Sequence, residues 1–322
     1  MQKQLFVGKR ISLVIPVYNE EKNIFSLYNA ILQQLNGKEI EFVFVNDGST
    51  DASIIELSNL ADKDQRVKVI SFTRNFGHQA ALTAGIDYAK GDAIITMDAD
   101  FQDPPEVLPL LIEQWEKGAK IVYARRTHRY DKFLKRLTAS VYYNLLYKAS
   151  EIKIKGNIGD FRLMDVTVAE KLRKLREHSR YLRGLIPWLG FKYAIVDYIR
   201  PLRTKGHTKF NWLKMMRFAM NGLLNFSLLP LRIGLVAGVG IILSGFVFLI
   251  YLAYRFFFDN QFYKLLEWLA VVNYILIGVL FIFIWFIAEY IGKIYEEVKG
   301  RPIYIVEYLK NIDEHENIDA QL

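Results

Sequence analysis

The chain has 322 residues, 52% of them hydrophobic, enough for one sizeable soluble domain and a further part. Cysteine is absent, which excludes disulfides, thiolate nucleophiles and cysteine-built zinc sites and fits a domain facing a reducing compartment. The net charge of +8 is uneven: residues 1–120 hold 12 Lys/Arg against 17 Asp/Glu, residues 121–217 hold 23 against 7, and residues 218–322 hold 7 against 10.

Residues 11–17 are apolar but short, include Pro16 and run into polar chain. They read as a first β-strand and not as a secretory leader. Residues 20–35 carry Ile24, Leu27, Tyr28, Ile31, Leu32 and Leu35 at helical spacing. Strands are expected at 41–45, 67–72, 92–97 and 119–123, with a helix around 78–89 and another opened by Pro104-Pro105-Glu106. This alternation, with nearly continuous apolar strands, predicts an α/β fold with a mostly parallel sheet covered on both faces. Ligands of such sheets bind beyond the carboxyl ends of the strands. Residues 16–20, 46–51, 74–78 and 98–102 all fall at such ends, so one crevice can collect them.

Within that crevice, Asp98-Ala99-Asp100 follows a buried strand and precedes Gln102-Asp103. Two carboxylates one residue apart suit a hard cation, Mg²⁺ or Mn²⁺, held together with a diphosphate. Asp100 and Gln102 alternate along extended chain and can face one ion. Asp98 can bind it through water or hold a ribose. Asp47 can accept the imino N–H of a uracil or guanine base. Ser49 either joins that nucleotide site or caps the following helix, and Asp51 is read as a cap only. Tyr18 can pack on a base and Glu20 can take ribose hydroxyls; the other reading of this stretch is an acidic helix N-terminus. Arg74, Asn75 and His78 form a polar cluster, with His78 either structural or catalytic. Asp160 and Arg162 share one side of a short strand, either as a salt-bridged pair or with Asp160 at a sugar's reacting carbon. Arg126, Arg200, Arg203 and Lys209 have the planar forks and cations that grip phosphate.

Residues 132–149 and 211–226 are amphipathic and basic, and the second stretch in particular reads as an interfacial helix. Two charge-free runs follow, 233–254 and 268–288, each long enough to cross a bilayer and separated only by 259–267. The Lys/Arg bias outside this hairpin puts both chain ends on the cytoplasmic side of the plasma membrane. The expected division is 1–210 as a cytoplasmic α/β domain, 211–229 as an interfacial helix, 230–292 as the hairpin and 293–322 as a cytoplasmic tail. The basic block beside the apolar runs favours anionic membrane lipids and phosphorylated ligands over nucleic acid. The free faces of two isolated spans suit a homo-oligomer.

The stretches IPVYNEEKN (15–23), VNDGSTD (45–51), RNFGHQAALTAG (74–85), MDADFQDPPE (97–106), VYARR (122–126), GDFRLMD (159–165), YLRGL (181–185) and RPLRTKGHTKF (200–210) resemble glycosyltransferase family 2. The likeness is to its polyprenyl-phosphate glycosyltransferase branch, which includes dolichyl-phosphate mannose synthase. It covers nearly the whole chain, departing from the usual pattern at Ala124-Arg125 and at His207. The resemblance implies a GT-A fold, a nucleotide-diphosphate sugar donor (UDP-glucose first, GDP-mannose or a UDP-aminopentose as alternatives) and a polyprenyl phosphate acceptor. It implies that Pro16, Tyr18, Glu20, Asp47, Ser49, Asp98, Ala99 and Asp100 serve the donor. Asp98, Asp100 and Gln102 then serve the metal, Asp160 aligns with the assigned catalytic base, and Arg126, Arg162, Arg200, Arg203 and Lys209 meet phosphate. A lipid phosphate has a second pKa near ~6, so a strong base is not required and Asp160 is expected to orient at least as much as to take a proton. A processive polysaccharide synthase is the rival enzyme, but its Gln-x-x-Arg-Trp motif is missing. A non-enzymatic membrane scaffold is the rival outside catalysis.

Overall fold

The computed structural model describes residues 8–127, 158–177, 180–199, 247, 250, 254, 258 and 262–312. The chain divides into two compact units. The first comprises Met1–Asn144, Ile152–Asn211 and Arg301–Leu322; the second comprises Leu145–Glu151 and Trp212–Gly300.

The first unit is a sheet with helices packed on it. Its strands are β1 (Arg10–Val17), β2 (Glu39–Asn46), β3 (Val67–Phe72), β4 (Ala93–Thr96), β5 (Ile121–Arg126), β6 (Ile158–Asp165), β7 (Tyr193–Tyr198) and β8 (Val306–Lys310), in the spatial order β7-β5-β6-β4-β1-β2-β3-β8. Its helices are α1 (Ile24–Gln34), α2 (Ser53–Lys63), α3 (His78–Tyr88), α4 (Leu108–Glu116), α5 (Val166–Arg173) and α6 (Leu182–Trp188). Strands β1 to β4 run parallel, and β5 pairs parallel with β7. The central strands are buried on both faces, which is why they read as unbroken apolar runs. Helix α1 buries Ile24, Leu27, Tyr28 and Ile31, the stripe its spacing predicts. A 3₁₀ turn, Pro105–Val107, leads into α4.

The sheet is mixed, which the sequence reading left open. β6 runs antiparallel between β4 and β5, and β8 runs antiparallel along β3. The reversal of β6 matters for the site: its first residues lie where β4 and β5 end. The segment after residue 300, read from sequence only as a tail, supplies β8.

In the second unit the apolar run 268–288 lies within a helix, α7 (Phe262–Val298). Many side chains of α7 lie outside the described residues, and among the described residues no helix is long and apolar enough to cross a membrane. The basic stretch 132–149 and the stretch 211–226 lie outside the described residues, as does most of 233–254.

Candidate active site

The loops that leave β1, β2 and β3 are latched to one another. Asn19, in a left-handed conformation (φ 57°), donates its N–H to Ser49 Oγ at 3.1 Å and accepts from Thr50 N at 2.8 Å. Glu20 donates its N–H to Ser53 Oγ at 3.0 Å. Asp51 accepts from the Ser53 N–H at 3.0 Å in a local turn, while the N-cap position of α2 falls on Ala52, which makes no side-chain cap. Tyr18 stands exposed beside this junction, and Pro16 is the last residue but one of β1. The Asp47 carboxylate is buried and accepts from the N–H groups of Phe76 (2.7 Å) and Gly77 (3.0 and 3.1 Å). Burial raises its pKa, and those amides pull it back. Gly48 (φ 64°) is required here, since a Cβ would sit 2.4 Å from the Arg74 carbonyl carbon.

The register of β4 against β6 places the acids. Ala93 pairs with Asp165 and Thr96 with Arg162. Extending that register past the strand end sets Asp98 opposite Asp160. The imidazole of His78, from the first turn of α3, bridges them: Nε2 lies 3.5 Å from Asp98 Oδ1 and 3.5 Å from Asp160 Oδ2. Thr96 Oγ1 donates to the Asp160 carbonyl. The turn beyond Asp98 is strained, with Phe101 at φ 60°, an unusual state for a bulky residue and one that clusters at functional loops. The extended alternation expected of Asp100 and Gln102 is not found: residues 99–103 form a turn, in which Asp100 Oδ1 accepts from the Gln102 N–H at 3.1 Å, and Ala99 is buried.

Asp160 is 4% exposed and clamped. Arg162 Nη2 donates to Oδ1 at 2.9 Å, Arg183 Nη2 to Oδ2 at 2.6 Å, and Gln79 Nε2 to Oδ2 at 3.5 Å. Burial alone would raise its pKa, but Arg183, His78 and Arg162 hold the carboxyl well below its ordinary range. His78 shows the reverse. Its side chain is 43% exposed; partial desolvation opposes its charge, yet Asp160 and Asp98 together lift it to about 9. Asp98 is raised first by desolvation, with the Asp160 and Asp100 charges adding to it and His78 opposing.

On the other flank, Arg126 Nε donates to Tyr198 Oη at 3.0 Å, and Tyr198 Oη donates to Asp103 Oδ1 at 3.0 Å. Asp103 Oδ2 accepts from the Asp98 N–H at 3.1 Å. Burial and then the Asp98 charge push Asp103 up to about 7. Arg125 turns away to an exposed pair with Asp197 at 2.6 Å. Arg126 is therefore the arginine of this pair that faces the acids.

Of the residues expected to meet phosphate, Arg162 sits differently. It is 1% exposed, and its guanidinium is spent on Asp160, the Gly159 carbonyl (2.8 Å) and the Leu182 carbonyl (3.5 Å). It forms the salt-bridged pair that was one of its two readings, and burial keeps it from a phosphate entering the crevice. Arg200, Arg203 and Lys209 lie outside the described residues. Arg183, Gln79 and Tyr198 join the site without having been singled out. Arg183 had a signal, the YLRGL stretch, but no spacing links it to Asp160, 23 residues earlier.

Among the described residues no three of His, Asp and Glu cluster as a metal cage. Two acids on one loop still fit a hard ion that completes its shell with substrate phosphates and water. Such an ion would offset the desolvation and the neighbouring negative charges that raise Asp98.

The sequence matches the description "Glycosyl transferase family 2" over residues 12–173. It is 42% identical to an uncharacterized glycosyltransferase, YkcC, of Bacillus subtilis (strain 168), over 92% of this chain and 93% of that one. It is 42% identical to a prophage bactoprenol glucosyl transferase homolog of Escherichia coli (strain K12), over 94% and 99%. It is 41% identical to the bactoprenol glucosyl transferase of Shigella phage SfX, over 94% and 100%. Among solved structures it is similar to glucosyl-3-phosphoglycerate synthase from Mycobacterium tuberculosis in complex with Mn²⁺, uridine diphosphate and phosphoglyceric acid. That match has a TM-score of 0.48 at 21% identity, over 68% of this chain and 78% of that one.

Proposed function

The chain belongs to glycosyl transferase family 2, and on that premise we propose that it transfers glucose from UDP-glucose to undecaprenyl phosphate at the cytoplasmic face of the plasma membrane, with inversion at the anomeric carbon. The observation that carries the reading is the meeting of Asp98 and Asp160 on one His78 imidazole at the carboxyl ends of the strands. That is where a sheet of this kind takes its ligand. The choice of substrates rests on the relatives named bactoprenol glucosyl transferase. The two apolar runs, 233–254 and 268–288, would hold the chain at the bilayer as a hairpin, with the basic stretches at the headgroups and copies paired through the hairpins.

In this scheme Tyr18, Glu20 and Ser49 receive the nucleotide on the latched loops, and Asp47 shapes the base side by fixing Phe76 and Gly77. Asp98, Asp100 and Gln102 would hold Mg²⁺ or Mn²⁺. When bound, the cation supplies charge to offset the departing diphosphate. The acceptor phosphate oxygen attacks the anomeric carbon in line. Since that phosphate is already largely a dianion at neutral pH, Asp160 orients the sugar and takes no proton. Arg162 sets Asp160 from behind. Arg126, Arg200, Arg203 and Lys209 draw the phosphates of donor and acceptor together.

The test is transfer of labelled sugar by the purified full-length chain into organic-extractable lipid, with undecaprenyl phosphate as acceptor. UDP-glucose should label the lipid, and chelator or the Asp98→Ala, Asp100→Ala double variant should stop it. GDP-mannose or a UDP-aminopentose as the better donor would replace the sugar assignment. Labelled polymer would favour a processive synthase, and no transfer from any nucleotide sugar would sink the enzyme reading.

A further inference from the structure

The segment after residue 300 reaches the far end of the helix that carries His78. β8 pairs with β3 through Val69↔Lys310, Ile70↔Leu309 and Ser71↔Tyr308. Just before it, Tyr304 is 4% exposed. Its ring stacks on Phe72 (centroids 5.2 Å apart, planes at 15°), and its hydroxyl donates to Asp87 Oδ2 at 3.1 Å. Asp87 is the last residue but one of α3. Its carboxylate also pairs with Arg176 Nη1 at 3.1 Å. Arg180 is buried nearby and acts on Asp87 through its charge, while its Nε and Nη1 and the Asp87 Oδ1 find no hydrogen-bond partner among the described residues.

Two routes lead from this node to Asp160. The first is α3 itself, about 14 Å from Asp87 back to His78 at 1.5 Å per residue. The helix is buried along nearly all its length. At Gly85 it lies so close to β1 that a Cβ would come within 2.2 Å of Val14 Cγ1. A close-packed helix of this kind shifts as a body and does not absorb a displacement locally. The second route is a row of contacts along α3. Arg173 donates to the carbonyls of Ile86 (2.7 Å) and Ala89 (2.6 Å) at the helix's C-terminal end. Arg176 meets Asp87, the Leu182 N–H donates to Gln79 Oε1 at 3.1 Å, and Arg183 grips Asp160. Arg180, in the node, and Arg183, on the reacting side, are three residues apart.

We propose that Tyr304 is a positioning residue for sugar transfer: by tying Asp87 to the sheet edge it sets α3 against Arg176, Arg180 and Arg183, and so fixes where His78, Gln79 and Arg183 stand around Asp160. This deepens the transferase reading above and rests on it. The part of the chain that follows α7 thereby completes the arrangement around the reacting acid from outside the crevice.

Two full-length variants separate positioning from simple stability. Tyr304→Phe removes the hydroxyl and keeps the ring stack. Lys310→Met loosens β8 where Lys310 Nζ meets Ser58 (2.8 Å) and Asp62 (2.6 Å), away from α3. Tyr304→Phe should lower kcat about five- to tenfold, the rate equivalent of losing much of one charge-assisted hydrogen bond, with donor KM changed less than about twofold. Lys310→Met should lower Tm at least as much and leave kcat within about twofold. Amide hydrogen exchange over residues 76–84 and 181–185 should quicken in Tyr304→Phe and not in Lys310→Met. An unchanged kcat in Tyr304→Phe, or kcat losses that track Tm in both variants, overturns the proposal. If the unaltered chain transfers no sugar, the transferase reading fails, and the exchange pattern alone decides whether Tyr304 sets the Asp160 surroundings.

Discussion

Arg183 grips Asp160 as a fork: Nε lies 3.1 Å from both carboxylate oxygens and Nη2 lies 2.6 Å from Oδ2. Arg162 holds Oδ1 from the buried side at 2.9 Å. A planar guanidinium fixes both the position and the plane of a carboxylate. Asp160 is thus aimed and kept charged, and a carboxylate so strongly stabilised as an anion is a weak proton acceptor. The geometry favours orientation over general-base catalysis.

The first prediction concerns that distinction. Burial opposes the Asp160 charge, but Arg183, His78 and Arg162 outweigh it and hold the pKa well below 3.8. Asp160 therefore carries its charge at any working pH, and its own titration should leave no limb in the kcat profile between about pH 6 and 9. Asp160→Asn should lose more than about 100-fold in kcat, with no recovery as pH rises and the acceptor ionises fully. Recovery that follows acceptor ionisation would restore the base role.

The two arginines should behave differently. Removing Arg162, which is fully buried, leaves Asp160 without its inner partner, and breaking a buried pair costs about 3–5 kcal/mol. Arg162→Met should therefore appear first as a loss of Tm. The Arg183 side chain is 31% exposed, so Arg183→Lys should keep the charge, lose the fork and lower kcat about tenfold at nearly unchanged Tm. Equal Tm losses in both variants would count against the division of labour.

Much of this site is legible in the sequence because parallel strands end at one edge. Asp47, His78 and Asp98 each follow an apolar strand, and parallel pairing puts the ends of all three strands at one edge of the sheet. Asp160 is harder to place. It joins them because β6 runs backwards between β4 and β5, and an apolar strand carries no mark of its direction. The resemblance implies a phosphate contact for Arg162, and alternation could not correct it, since it says which side a residue takes and not how deep it lies. Arg183 and Tyr304 come from segments far along the chain, and only tertiary packing brings them in. β8 is short and follows a long apolar helix, so its sequence reads as a tail.

A metal prediction can be read without turnover. If Asp98 and Asp100 hold the cation that meets the diphosphate, UDP should raise Tm with Mn²⁺ or Mg²⁺ present and much less after chelation. A ligand at about 100 times its Kd stabilises by about 2.7 kcal/mol, which is a resolvable shift. Asp100→Asn should reduce the metal-dependent part of the shift and leave Tm without ligand almost unchanged. An equal shift with chelator would remove the cation from the donor site.

The last prediction tests the sheet beneath the site. Glu41 on β2 is buried, and its Oε2 accepts from Lys68 Nζ at 2.6 Å. Its Oε1 accepts from the Lys90 N–H at 2.6 Å and from Ser12 Oγ, which in turn accepts from the Gly91 N–H at 2.7 Å. Burial would raise the Glu41 pKa, but Lys68, Ser12 and Lys90 together bring it below its ordinary 4.5. A folded value below the unfolded one stabilises the native state fully above about pH 4.5, and that stabilisation is lost as pH falls through the folded value. Urea unfolding of the full-length chain in detergent should show Glu41→Gln less stable by about 1–3 kcal/mol at pH 7, since Lys68 then loses its charged partner. The gap between the variant and the unaltered chain should narrow as pH drops from 5 toward 3, because protonation removes the same charge that the variant lacks. A gap that stays constant over that range would mean that the Glu41 charge contributes nothing to holding β1, β2 and the loop before β4 together.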